Sequence, residues 1–308
     1  MTVAPVEASA VRVEGLRKRY GDKVAVADVS FEVERGEIFG LLGPNGSGKT
    51  TTVECIQGLR HPDAGNLAVF GLDPAVETAR VRTLVGSQLQ ESALPDRLKV
   101  WEALRLFSVS RGVDASWEQL LVDWGLEDRR NAAFGDLSGG QKQRLFVALA
   151  LIGDPRLVIL DEMTTGLDPA ARRLTWELIE AVRRRGTTVI LVTHFMDEAE
   201  RLCDRLALLR SGTVVATGTV PELVAASGAK AEVRFTAAGV TDTLRSIDGV
   251  ESVEVGEGGE VRVLGSGPIL AHIAHALVEQ GIAPPDLRVH LPSLEDVYMQ
   301  FVDGPGAK

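Results

Sequence analysis

The chain has 308 residues, 45% hydrophobic and 25% charged, the composition of a folded protein rather than a disordered one. With 33 basic residues against 43 acidic ones the formal charge is −10, which argues against a nucleic-acid binder. Two cysteines, Cys55 and Cys203, exclude a disulfide-stapled scaffold and fit a reducing compartment.

Residues 1–10 read as a loose tail with neither a basic n-region nor an apolar h-region, so secretion is not expected. From Val11 the chain alternates through Val13 and Leu16, then Val24, Val26 and Val29, then Phe31 and Val33, the pattern of an antiparallel layer. Ile38-Phe39-Gly40-Leu41-Leu42 is a continuous apolar run, as in a strand buried on both faces. A glycine-rich loop and a helix from about Gly48 to Gly58 follow. Helical spacing dominates the stretch from about Glu91 to Ala150, at Leu98–Ser110, Trp117–Trp124 and Gln141–Ile152, which reads as a helical insertion. Its longest apolar run, Leu145–Ile152, ends at Gly153-Asp154-Pro155, far short of the roughly 18–20 residues that span a bilayer. Buried strands return at Leu157–Leu160 and Thr188–Val192, with an amphipathic helix at Pro169–Arg185 between them, so a parallel sheet is expected. Beyond Ala225-Ala226-Ser227-Gly228 the order strand, helix, strand, strand, helix, strand is that of a ferredoxin-like α+β unit over residues 228–308, closed by a helix at Ser293–Val302.

Three stretches carry chemistry. Gly43-Pro44-Asn45-Gly46-Ser47-Gly48-Lys49-Thr50 is G-x-x-x-x-G-K-T between an expected strand and an expected helix. Its glycines let backbone N–H groups turn around a phosphate chain, and the helix adds the positive end of its dipole. Lys49 can reach the β/γ-phosphates, and the Thr50 hydroxyl can hold Mg²⁺. Asp161 and Glu162 end a buried strand, where carboxylates face a ligand crevice; one suits Mg²⁺, the other an attacking water. Leu137-Ser138-Gly139-Gly140-Gln141 opens a helix and offers a second anion site.

In this order and spacing the chain resembles an ATP-binding-cassette (ABC) nucleotide-binding subunit over about residues 11–220. The resemblance implies an α/β P-loop cassette: a mixed sheet core, an antiparallel β layer and a helical subdomain at about 91–150, together filling 11–225. It assigns the Walker A loop to Gly43–Thr50 with Thr51 beside it, the Q-loop glutamine to Gln90, the signature to Leu137–Gln141 and the Walker B strand to Leu157–Glu162. The D-loop falls on Gly166-Leu167-Asp168, the switch histidine on His194 and the adenine-stacking aromatic on Tyr20. Alignment by Val85-Gly86 favours Gln90 over Gln88. Leu89 and Met163 stand where the family often has proline.

The resemblance implies hydrolysis of ATP with Mg²⁺ between two head-to-tail cassettes. Ser138, Gly139, Gly140 and Gln141 of one meet the γ-phosphate on the other, Asp168 lies at the seam, and a self-pair is expected. Glu162 and His194 would then be catalytic, and Gln90 would link Mg²⁺ to a separate membrane permease whose coupling helix docks near 91–104. Ser293-Leu294-Glu295-Asp296-Val297-Tyr298 resembles the end of a domain appended in the daunorubicin-resistance branch, implying export of a drug, antibiotic or lipid-like molecule by a cytoplasmic subunit on the membrane's inner face. The competing readings are a soluble ABC ATPase with a regulatory role and an unrelated P-loop kinase; the latter leaves the signature and His194 unexplained.

Other features read as structural. His272 and His275 lack a third ligand, Cys55 reads as core, Arg183-Arg184-Arg185 as a solvated helix end, and Trp117 and Trp124 as one packed helix face.

Overall fold

The structure is a computed structural model that describes residues 9–88, 93–113 and 117–303. It divides into two compact units, Met1–Val220 and Pro221–Lys308.

The first unit opens with two long strands, β1 (Ser9–Tyr20) and β2 (Lys23–Glu34), followed by β3 (Ile38–Leu42) and α1 (Lys49–Ile56). β1 and β2 pair antiparallel with register shifts between Val13 and Leu16. The shift matches the sequence, where the apolar spacing stretches from two residues to three. One extra residue keeps Val13 and Leu16 on the same buried face. β4 (Ala64–Val69) adds to the outer side of β1, and α2 (Thr78–Leu84) leads into β5 (Val85–Gln88).

The helices α3 (Val100–Ser110), α4 (Trp117–Asp123) and α5 (Gly139–Ala150), with Trp124 just past α4, bury Leu104, Leu121, Trp124 and Leu145 in a common core. Trp117 and Trp124 both pack on it, as their spacing predicts. β6 (Leu157–Asp161), α6 (Pro169–Arg184), β7 (Thr188–Thr193) and α7 (Met196–Leu202) come next, then β8 (Arg205–Arg210) and β9 (Thr213–Gly218).

Among the described residues one sheet has the order β4-β1-β2-β9-β8-β3-β7-β6-β5. β8, β3, β7, β6 and β5 run parallel, so the expected mixed sheet is present. Every residue of β3, β6 and β7 is buried, which accounts for their unbroken apolar runs.

α8 (Val220–Ser227) spans the division between the units and ends at Gly228, whose φ is +68°. The composition shift near Ala225 therefore lies in the last turn of a helix, and the division itself falls at its start. The second unit comprises β10 (Ala231–Thr236), α9 (Thr241–Arg245), β11 (Val250–Val255), β12 (Glu260–Gly265), α10 (Ile269–Glu279), β13 (Arg288–His290) and α11 (Leu294–Asp303). Its sheet is antiparallel in the order β11-β12-β10-β13. Val233, Phe235, Val261 and Val263 form one face of that sheet, covered by Leu244 of α9 and Ile273 and Leu277 of α10. The Arg183–Arg185 run is exposed, with its guanidinium groups paired to Asp204, Glu180 and Asp123. No helix among the described residues is long and apolar enough to cross a membrane.

Candidate active site

The loop between β3 and α1 has a shape that glycine alone permits at two places. Gly48 caps α1 at φ +101°, where a Cβ would meet the Ala25 carbonyl oxygen at 2.6 Å. A Cβ on Gly43 would lie 2.3 Å from the Leu209 carbonyl oxygen. Lys49 Nζ sits within the loop and donates to the carbonyls of Gly43 at 2.7 Å and Pro44 at 3.1 Å. Burial lowers the pKa of this ammonium, while Glu162 and Asp161 act against that. Tyr20, Asn45, Gly46, Gly48, Lys49, Thr50, Thr51 and Glu162 line one cleft of about 410 Å³, within the range of small-molecule sites. The rings and chains at its lip are Tyr20, 40% exposed and flanked by Lys18 and Arg60, and Lys23, which pairs with Tyr20 across a two-residue turn. The sequence reading passed over Lys23; the Tyr20-Gly21-Asp22-Lys23 hairpin was the signal that places it opposite Tyr20.

Asp161 is the last residue of β6 and is buried. Its carboxyl is pushed up to about 6, first by burial and second by Glu162, with Lys49 acting in the opposite direction. Its Oδ2 is buried and has no hydrogen-bond partner among the described residues. An orphaned carboxylate oxygen beside a second carboxylate fits a hard divalent cation. No group of three or more His, Cys, Asp or Glu side chains suited to a metal occurs among the described residues. Among the described residues, a cation here would be completed by oxygens other than carboxylates, a donor set that suits Mg²⁺.

Glu162 follows at φ +49°, a left-handed conformation uncommon for a side chain of its size. Its N–H donates to the Val192 carbonyl at 2.9 Å, which fixes that turn. The turn brings Glu162 Oε1 to 3.1 Å from Nδ1 of His194, the residue immediately after β7. Two groups 32 positions apart in the chain thus meet because β6 and β7 are neighbours in the sheet. Gln90 lies outside the described residues, as do residues 1–8 of the expected tail.

A second cleft of about 300 Å³ is lined by Ser138, Gly139, Gly140, Gln141 and Arg144 on one side and Gly166, Leu167 and Asp168 on the other. Ser138 caps α5 through a reciprocal box: its N–H donates to Gln141 Oε1 at 2.9 Å, and its hydroxyl accepts from the Gln141 N–H at 3.4 Å. Asp168 caps α6, accepting from the N–H groups of Ala171 at 3.0 Å and Ala170 at 2.9 Å, which hold its carboxyl below the ordinary range. Two helix N-termini therefore border this cleft and favour an anion in it. Arg144 adds a cation that the motif alone did not single out. The two clefts share no lining residue.

Comparison with known proteins agrees with this geometry. The sequence model of the family described as "ABC transporter" matches residues 26–165. The Nod factor export ATP-binding protein I of Burkholderia orbicola is 45% identical over 230 residues, covering 73% of this chain and 74% of that protein.

The chain belongs to the ABC transporter family.

Among solved structures, an ATP-binding subunit of an ABC transporter is 32% identical with a TM-score of 0.65, covering 71% of this chain and 94% of that one. The cbiO1 protein of Clostridium perfringens, part of the ABC transporter complex cbiONQ, is 27% identical with a TM-score of 0.65, covering 71% and 92%. ABC ATP-binding subunits are ATPases that power transport, and this chain is one of them. The regulatory, non-transport reading gives way to that assignment. Cys55 takes no part: it is buried in the core beneath the β layer, and burial pushes its thiol up to about 11.

Proposed function

We propose that the first unit binds Mg-ATP in the cleft around Lys49 and hydrolyses it when a second copy of the chain supplies the signature cleft. The observation that carries this is the separation of the two clefts. The phosphate-binding loop with Glu162 lines one, Ser138 to Gln141 with Asp168 lines the other, and no residue is common to both. A chain with one of each is completed by a partner placed head to tail.

In this reading Lys49 leaves the Gly43 and Pro44 carbonyls for the β/γ-phosphates, and Tyr20 stacks on the adenine. Thr50, Asp161 and Gln90 would hold Mg²⁺, which would supply charge neutralisation at the phosphates. Glu162 orients and deprotonates the attacking water, and His194, held against it at 3.1 Å, keeps the carboxylate and the γ-phosphate in register. Ser138, Gly139, Gly140 and Gln141 of the partner meet the γ-phosphate, and Asp168 lies at the seam.

The catalytic domain is taken as residues 11–225 and the accessory domain as 228–308, the latter stabilising or regulating the pair. The B. orbicola relative is named for export, and the C. perfringens neighbour is part of a transporter complex. Both support a separate membrane permease for this chain and placement on the inner face of the membrane, and the name of the first supports export as the direction. Cargo selection then belongs to the permease. The test is to express tagged Glu162→Gln in the native host, solubilise membranes with Mg-ATP present and isolate the tag. A polytopic membrane protein in near-equal amount is the expected result. A chain recovered only with its own copies would contradict the transport assignment.

A further inference from the structure

One buried acid in the first unit is used by none of the steps above. Glu198 lies on α7, four residues after His194, and is fully buried. Its Oε1 accepts a hydrogen bond from Trp176 Nε1 of α6 at 3.1 Å. The Thr193 and Thr164 hydroxyls lie close enough to act on its charge, yet Oε2 finds no hydrogen-bond partner among the described residues. Thr193 immediately precedes His194 and accepts the N–H of Phe195 at 3.0 Å, closing the turn that presents the histidine. Thr164 is two residues past Glu162. The carboxyl thus stands where the turn after β6, the end of β7 and α6 converge.

A buried carboxyl with one oxygen unmatched is costly, and a leucine or methionine would fill the same place without that cost. Contacts on both sides extend the same ridge. Arg172, four residues before Trp176, reaches Asp197 at 3.2 Å and stacks its guanidinium on Phe195, whose ring lies 4.1 Å from that of His194. Glu180, four residues after Trp176, pairs with Arg201 at 3.0 Å. α6 begins at Asp168 and α7 begins beside His194, so this ridge joins the two as one body.

We propose that Glu198, with Trp176, is a positioning residue for hydrolysis: it locks the helix that opens at Asp168 to the strand end that presents His194. A displacement at the Asp168 end is then carried to His194 and its contact with Glu162. The inference rests on the hydrolytic roles proposed above for Glu162 and His194.

The test uses the full chain. Trp176→Phe keeps the ring and removes the donor; Glu198→Gln keeps the shape and Glu198→Ala removes the group. ATP binding is measured by equilibrium titration, and hydrolysis by single-turnover release of phosphate. Trp176→Phe and Glu198→Ala should each lower the hydrolytic rate about tenfold with ATP affinity unchanged, and Glu198→Gln should restore most of it. In a His194→Ala background, Glu198→Ala should add little, because it acts through the residue already lost. Rates within twofold of wild type for both Trp176→Phe and Glu198→Ala would overturn the proposal. So would a full additional loss in the His194→Ala background, or ATP affinity falling in step with rate. Unchanged turnover in His194→Ala alone would instead strike the role of His194.

Discussion

Lys49 and Asp161 are the two charges in the site that burial most disfavours, and the charges each exerts on the other do not offset that cost. Burial lowers the Lys49 pKa and raises that of Asp161 to about 6. Phosphate and a divalent cation relieve both. Lys49→Ala should therefore weaken ATP binding by about 10–100-fold, measured by equilibrium titration, with little change in melting temperature. An unchanged affinity would remove Lys49 from the phosphate site. Asp161 gives a pH-dependent sign. Its folded pKa lies above the ordinary carboxylate value near 4, so its contribution to stability is intact below about pH 4 and is lost as pH rises through about 6. In nucleotide-free protein, Asp161→Asn should raise stability above pH 6 by about 1–3 kcal/mol and leave it unchanged near pH 4. Scanning calorimetry at the two pH values checks this; parallel melting at pH 8 would contradict it.

At the scale of elements, legibility in the sequence followed chemistry and burial. β3, β6 and β7 were legible because strands buried on both faces leave nothing but apolar residues. β5 was not: it has only four residues, too few to show a period. A Cβ on its Gly86 would strike the Ala150 carbonyl oxygen at 1.9 Å, so α5 dictates the glycine. α7 escaped for a different reason. Its core side includes Glu198, and an acid in a buried position breaks the apolar period that marks a helix. The same conflict between local pattern and burial is what marks Glu198 as a residue with a role. In the second unit, Glu232 is the charge that organises the sheet's outer face. Its carboxylate accepts from Arg234 and Arg262, which hold its pKa down to about 2. Arg262 and Arg234 lie directly opposite one another on β12 and β10, a repulsive register that Glu232 offsets. Because the folded pKa is depressed, this contribution is present above about pH 4 and is lost as pH falls toward 2. Glu232→Gln should lower the stability of this unit at pH 7 by about 1 kcal/mol, with the gap closing on acidification. A gap independent of pH would assign the loss to packing.

At the scale of the whole molecule, the motifs were legible one by one, and their separation was implied by the family resemblance but not by residue spacing alone. Spacing places Lys49 and Ser138 89 residues apart without saying whether the fold reunites them. It does not: β3 and β6 bring Lys49 and Glu162 to one cleft, and the N-termini of α5 and α6 form another. That division is why we propose hydrolysis by a pair of chains rather than by one. Glu162→Gln isolates this point, since it should retain ATP while slowing hydrolysis by about 10²–10⁴-fold. The most direct measurement is the mass of purified Glu162→Gln in solution, by light scattering, with and without Mg-ATP. A shift from one chain to two on adding Mg-ATP, abolished by Ser138→Arg in the same background, is the predicted result. A chain that binds Mg-ATP tightly yet remains a monomer, or a wild-type monomer that hydrolyses at a rate independent of protein concentration, would contradict it.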